Sequence, residues 1–276
     1  MPVRISIVTP SYNQAAFLEE TLRSVIAQSK FIHEYFVCDG GSTDGSVDII
    51  RRYADRITHW VSEKDAGQSD AIHKGFTRAT GDYLLWINSD DVLLPGALER
   101  AHAALAAHPN WDAVTGFHVR MDAASRILSA HRIPGENPAY ARWGIHHTIQ
   151  QTCFFRKRLY EQVGGLDLSL DCVMDTELFC RMFDAGSVWG HIPHYQAGFR
   201  QHAAAKGSAE KWSEKYRQEV EWLRQKAPQY CAPNLKHRAG LIAYRASQII
   251  SGRQVRGMLD ARRWRGKTLS EVFPFP

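Results

Sequence analysis

The sequence predicts an α/β protein: a mostly parallel sheet flanked by helices, with a helical extension at the C-terminal end. Three observations carry that expectation. Apolar runs of strand length alternate with segments of helical spacing from residue 5 to about 107. Each of the first four runs ends in a polar or glycine-bearing loop, and the strand pattern stops after about residue 205. This is the rhythm of βαβ units, which place a parallel sheet between two helical layers.

The elements follow in order. Ile5–Thr9 reads as a buried strand closed by Pro10, and residues 15–28 place Phe17, Leu18, Leu22, Val25 and Ile26 at helical spacing. A strand at Tyr35–Cys38 precedes a helix that opens near Ser42 and Asp44 and runs to Tyr53. Next come a strand at Ile57–Val61 and a helix from about Gln68 to Ala79. A fourth strand, Tyr83–Ile87, ends in Asn88-Ser89-Asp90-Asp91, and Pro95 suits the first turn of a helix reaching Ala107. In the extension, Trp212–Gln225 and Leu235–Ile250 read as helices.

Length and composition narrow the class. At 276 residues the chain fits one large α/β domain, or one with an appendage. The longest uninterrupted apolar run is about five residues, far short of the roughly 20 that span a membrane. The chain enters its first strand at once, so no signal peptide is expected. Five cysteines without CxxC spacing read as reduced thiols of a cytoplasmic protein. The net charge of +5 is spread unevenly. Residues 206–276 hold 15 Lys/Arg against 6 Asp/Glu, leaving 19 against 23 in the remainder. A basic tail on an acidic body points to an anionic partner, membrane surface or nucleic acid, or else to a solvated helical appendage.

In open α/β sheets ligands bind beyond the carboxyl ends of the strands, so the loops there outline the site. They are Thr9–Asn13, Asp39–Gly45, Glu63–Gln68 and Asn88–Asp91. The dinucleotide motif GxGxxG and the phosphate loop GxxxxGK[ST] are both absent, which removes support for a nicotinamide or ATP site. Asp39, ahead of Gly40 and Gly41, can accept hydrogen bonds from a base N–H or a ribose hydroxyl. Asp90 and Asp91 repel each other unless a cation sits beside them, and hard oxygen ligands of this kind suit Mg²⁺ or Mn²⁺. A helix N-cap is the structural alternative. Asp175 opens a helical segment with Met174, Leu178 and Met182 on one face, and Arg181 is its obvious ion-pair candidate.

From residue 3 to about 205 the chain resembles the family 2 glycosyltransferases of GT-A fold. The residues that carry the resemblance are TPSYNQAAFLEETLRSVIAQ, CDGGSTDGS, EKDAGQSDAIHKGFTRATGDYLLWINSDD, GGLDLSLDCVMDTELFCRM and FRQH. It looks most like bacterial enzymes that add sugars to surface polysaccharides. The resemblance implies a GT-A catalytic domain over 1–205, with a nucleotide-sugar half to about 110 and an acceptor-side half from 111. A basic helical extension follows over 206–276. Pro10, Ser11, Tyr12, Asn13 and Asp39 would hold the base of a nucleoside-diphosphate sugar, UDP or dTDP foremost, with Asp65 closing over it. Gln68, Asn88 and Ser89 would complete the donor side. Asn88-Ser89-Asp90 stands where the family has its DxD motif, so Asp90 would be the metal ligand and Asn88 replaces the first acid. His202 matches a histidine near the metal in related enzymes, and His73 stands where Asn is usual. Asp175 matches the catalytic base of an inverting single displacement.

Trp143, Gln150 and Gln151, with His146 and His147, are the candidates for an acceptor pocket that takes a glycan or lipid-linked hydroxyl. The extension is expected to dock on the anionic inner face of the plasma membrane through Leu241, Ile242, Ile249 and Ile250 among Arg238, Arg245 and Arg253. A homodimer contact is the other use of those helices, and no nucleic-acid partner is expected. Two further readings compete. A sugar-nucleotide pyrophosphorylase would need a basic, glycine-rich loop where this chain has Thr9–Asn13. A non-catalytic nucleotide-sugar-binding or scaffold protein would draw on Asn88 and His73.

Overall fold

The computed structural model describes residues 3–136, 138–142, 145, 149–206, 210–230 and 235–275. Strands β1 (Ile5–Ser11), β2 (Glu34–Asp39), β3 (His59–Ser62) and β4 (Tyr83–Trp86) alternate with helices α1 (Ala15–Ile26), α2 (Ser46–Arg52) and α3 (Gln68–Arg78). The chain continues through β5 (Val92–Leu93), α4 (Ala97–Ala107), β6 (Ala113–Met121), β7 (Ile127–His131) and α5 (Pro138–Ala141). Then come β8 (Phe154–Arg156), α6 (Lys157–Gln162), α7 (Met174–Asp184) and β9 (Trp189–Arg200). Helices α8 (Glu210–Lys226), α9 (Leu235–Ile250), α10 (Arg253–Trp264) and α11 (Leu269–Val272) close the chain.

All the strands join one sheet in the order β3-β2-β1-β4-β8-β6-β9-β5, with β7 paired to β6. The first four are parallel, and β1, β2 and β4 are buried almost throughout, whereas the edge strand β3 is only partly covered. The second half is mixed. β8 runs antiparallel to β4 and β6, β7 to β6 and β5 to β9, while β6 and β9 are parallel. Strand order reverses beside β1, which puts the ligand crevice of such a sheet at the ends of β1 and β4.

Two cores cover the two faces of the first half. One packs Ala71, Ile72 and Phe76 of α3, Leu159 of α6 and Leu178 of α7 against Val8, Leu84 and Trp86. The other packs Leu18, Leu22 and Val25 of α1 and Leu98 and Leu105 of α4 against Ile5, Ile7 and Leu85. Segments after residue 205 also reach the interior: Leu223 and Tyr230 lie in the first core, and Leu269 in a third with Phe117, Val119 and Met121. Among the described residues no helix is long and apolar enough to cross a membrane.

Several boundaries differ from expectation. β1 runs through Pro10 to Ser11. Its pairing with β4 ends at Val8 and Trp86, so the missing proline N–H interrupts no ladder on that side. Pro95 lies outside the helix it was expected to open, because the preceding residues form β5 against β9 and α4 starts only at Ala97.

Gly75 marks the closest approach of α3 to β1. A Cβ there would stand 2.6 Å and 2.7 Å from the two methyl carbons of Val8. Gly75→Ala is expected to destabilise the fold by about 1–3 kcal/mol through overpacking. Adding Val8→Ala should recover part of that loss in a double-mutant cycle of urea unfolding; strict additivity would refute the contact.

Candidate active site

The loops beyond β1 to β4 are tied to one another. Asn13 sits in the left-handed region (φ 50°), which asparagine tolerates better than most residues. Its backbone N–H donates to Ser42 Oγ (2.8 Å) and its side-chain Oδ1 accepts from the Thr43 N–H (2.9 Å). Asp44 accepts from the Ala15 N–H (2.9 Å), so it satisfies the opening of α1, while α2 begins later, at Ser46. Ser11 is buried, whereas the ring of Tyr12 is 61% exposed at the loop tip.

Asp39 is buried and accepts four hydrogen bonds from its own chain, from Gly41 N, Ser42 N, Ser42 Oγ and Ser62 Oγ, at 3.1, 2.9, 2.5 and 2.7 Å. Its carboxylate therefore shapes the loop on which a flat ligand would rest. Asp65 folds over that loop: a Cβ at Gly40 would lie 2.7 Å from Asp65 Oδ2, so only glycine allows the approach. Burial pushes the Asp65 carboxyl up, with Asp70 and Asp39 adding to it against the Gly67 N–H.

The tip after β4 is a hydrogen-bonded relay. Gln68 Nε2 donates to Asn88 Oδ1 (2.7 Å), and Asn88 Nδ2 donates to Asp91 Oδ2 (3.2 Å). Asp91 also accepts from Gln151 Nε2 (2.6 Å) and from the Arg200 backbone N–H (2.8 Å). It does not cap α4. Burial and the neighbouring Asp90 charge push its carboxyl well above the usual range, and the three donors oppose that rise. Asp90 turns the other way. Its Oδ2 lies 3.0 Å from His202 Nε2, and the His202 ring rests on Phe17 with centroids 4.5 Å apart.

One residue here was missed from sequence. The Arg200 guanidinium is fully buried, pairs with Glu20 (2.6 Å) and donates to the carbonyls of Asp90 (2.7 Å), Asp122 (3.2 Å) and Ala123 (3.3 Å). An arginine ending the apolar run before Gln201 was the available signal.

Asp175 lies in the first turn of α7, where its Oδ1 accepts from the Thr176 N–H (2.6 Å). It belongs to the same corner as the donor loops: Gln68 bonds Asn88, and next to it Ser69 Oγ bonds the Leu170 carbonyl (2.5 Å) and Met174 Sδ (2.7 Å). Arg181 is not its partner; the guanidinium pairs with Glu177 (2.6 Å) and donates to the carbonyls of Val163 and Gly165. The turn before α7 is held by Glu219 of α8, whose carboxylate accepts from Asp171 N (3.0 Å), Cys172 N (2.7 Å) and Val173 N (3.1 Å). A glutamate on the helical stripe between Trp212 and Leu223 was its signal in the sequence.

The remaining candidates divide. Gln151 spends its amide on Asp91, and Gln150 is buried with neither amide atom partnered among the described residues. His73 bonds the Tyr160 hydroxyl (2.9 Å) and so serves the contact of α3 with α6. Trp143, His146 and His147 lie outside the described residues. Asp90 and His202 converge on one point, and a carboxylate with an imidazole suits Mn²⁺ when ligand phosphates complete the shell. Among the described residues no group of three or more His, Cys, Asp or Glu side chains forms a metal site of its own.

Glu219→Ala leaves three backbone N–H groups without their acceptor and is expected to destabilise the fold by about 1–3 kcal/mol. Glu219→Gln, which keeps one carbonyl oxygen, should fall between it and the parent in urea unfolding. Equal stability of all three would show that the cap contributes nothing.

Comparison with known proteins identifies the family and the fold. The family model described as glycosyl transferase family 2 matches residues 6–164. A glycosyltransferase of Mycobacterium tuberculosis is 30% identical over 182 residues, 64% of this chain and 68% of that one. A Bacillus subtilis glycosyltransferase named for teichuronic acid biosynthesis is 36% identical over 99 residues, 35% of this chain and 39% of its own. Among solved structures, residues 1–349 of S. aureus TarS in complex with UDP-GlcNAc superpose with a TM-score of 0.67 at 17% identity, covering 86% of this chain and 69% of that one. The mannosyltransferase PcManGT of Pyrobaculum calidifontis, in complex with GDP-Man and Mn²⁺, gives 0.55 at 18% identity, covering 94% and 82%. At such identities the likeness is one of fold, and that fold is GT-A. The chain belongs to glycosyl transferase family 2.

Proposed function

We propose that the chain transfers a sugar from a nucleoside-diphosphate donor to a hydroxyl of a glycan or lipid-linked acceptor, with inversion at the anomeric carbon. The observation that carries this reading is the corner in which Gln68 bonds Asn88 while Ser69 bonds Met174, bringing the donor loops and the turn of Asp175 together. The UDP-GlcNAc and GDP-Man bound by the neighbouring structures support a nucleotide-sugar donor.

The base lies over Pro10–Asn13, with Tyr12 as the exposed ring, Asp39 keeping the loop in shape and Asp65 closing from above. Gln68, Asn88 and Ser89 orient the ribose and diphosphate. Asp90 and His202 would hold a divalent ion, whose charge would neutralise the diphosphate as it leaves. Asp175 takes the proton of the acceptor hydroxyl as that oxygen attacks the anomeric carbon from the opposite face. Gln150, whose amide has no partner among the described residues, is the acceptor contact, while Gln151 holds Asp91 in place.

Asp175→Asn is expected to lower turnover by at least about 100-fold with donor binding kept. Full turnover by that variant would remove Asp175 from its role. A thermal-shift screen of UDP, dTDP and GDP sugars with and without Mn²⁺ identifies the donor, and Asp90→Ala should abolish the Mn²⁺-dependent part of the shift. Asn88→Asp brings a second carboxylate to within reach of Asp91, 3.2 Å from the present amide nitrogen. It is expected to melt lower than the parent without metal and to gain more from Mn²⁺; an unchanged apo melting temperature would count against the relay.

A further inference from the structure

The outward side of α9 and α10 has no role in the transfer reaction and does not depend on that reading. Among the described residues thirteen large apolar side chains are exposed, and six of them fall within residues 242–259. They are Ile242, Ile249 and Ile250 on α9, and Val255, Met258 and Leu259 on α10, ranging from 52% exposed (Val255) to 86% (Ile250). Such concentration marks an interaction surface.

The pattern is amphipathic in a particular way. Arg238, Ile242, Arg245 and Ile249 recur at spacings of four, three and four along α9, so they form one stripe. Arg256, Arg262 and Arg263 of α10 are exposed beside its apolar residues. Residues 235–265 contain eight Lys/Arg and one acid, Asp260. That acid faces inward, accepting from Arg132 Nε (2.7 Å) and the Tyr195 hydroxyl (2.6 Å). Trp264 packs against Tyr195 on the same side, with centroids 5.2 Å apart. The inner side is thus fastened to the sheet, and the outer side presents aliphatic and arginine side chains without a carboxylate.

A second copy of the chain does not fit this face, because a self-complementary contact would set arginines against arginines. A nucleic acid would match the charge and leave six aliphatic side chains in water. An anionic bilayer matches both: guanidinium groups meet lipid phosphates while isoleucine and leucine enter the acyl boundary. At 16 and 12 residues the helices are too short to span, so they lie in the plane of the interface. We infer that the α9–α10 hairpin is a docking surface for an anionic lipid bilayer.

The test is cosedimentation of the full chain with phosphatidylglycerol–phosphatidylcholine vesicles and with phosphatidylcholine alone. Binding is expected only to the anionic vesicles. The pair Arg245→Glu with Arg262→Glu should weaken it by at least about tenfold. The pair Ile249→Glu with Leu259→Glu should also weaken it, and the donor-induced thermal shift should be unchanged in both variants. Equal binding to both vesicle types, or no binding to either, overturns the inference. So does retention of binding when only the aliphatic pair is replaced, since charge alone would then suffice, as for a nucleic acid. A dimer dissolved by the same substitutions, seen in sedimentation equilibrium with no vesicle binding, assigns the face to a second copy instead.

Discussion

Two buried charges, Asp91 and Arg200, hold the tip of the sheet together. Burial of an ionisable group is costly unless its hydrogen-bonding capacity is met. Asp91 meets it with Asn88, Gln151 and the Arg200 N–H; Arg200 meets it with Glu20 and with the carbonyls of Asp90, Asp122 and Ala123. Thr21 of α1 adds a hydroxyl shared between the carbonyls of Asp91 (2.6 Å) and Ser89 (3.0 Å). The loop after β4 is thereby fixed to α1, to the segment before β8 and to the end of β9. The direction of Asp90 follows, because its backbone is held by Arg200 and its side chain has His202 within reach. Of two adjacent aspartates, one is the buried hub of the tip and the other turns toward His202.

A comparable division runs through the C-terminal helices. α8 is part of the main body: Glu219 satisfies the turn before Asp175, Leu223 enters the core, and Lys206 and Lys215 bracket Asp171 beside that turn. The α9–α10 hairpin is fastened on its inner side, through Tyr244, Asp260 and Trp264. Composition alone, with 15 Lys/Arg over residues 206–276, treated these helices as one basic unit. Packing separates them into a structural helix and an outward-facing pair.

The first half of the fold was legible because each element announces itself locally. β1, β2 and β4 are built on apolar runs and buried almost throughout, and α1 and α3 bury the stripes their spacing specifies. α9 matches the expected Leu235–Ile250. What escaped is non-local. The two-residue β5 owes its existence to β9, over a hundred residues away in the chain, and nothing in Val92-Leu93 distinguishes it from the start of a helix. Glu219 and Arg200 read as surface charges in a linear string, and most of their partners are backbone groups, which carry no sequence signature. The internal donors that meet Asp39 and Asp91 are equally hidden, because a carboxylate in a loop does not reveal which N–H groups the folded chain will aim at it.

Asn88 is where these arguments meet. The position has a donor on one side, Gln68 Nε2, and an acceptor on the other, Asp91 Oδ2. An amide satisfies both at once, whereas a carboxylate can only accept. An acid at 88 would keep the bond from Gln68 and face Asp91 with like charge in a site where burial already resists ionisation. The amide is therefore the residue type that lets Asp91 act as a fully buried hub without metal present. Its consequence is a tip whose accessible charge is concentrated on Asp90 beside His202; under the proposed function, His202 and the phosphates of a nucleotide would have more of a metal's coordination to supply.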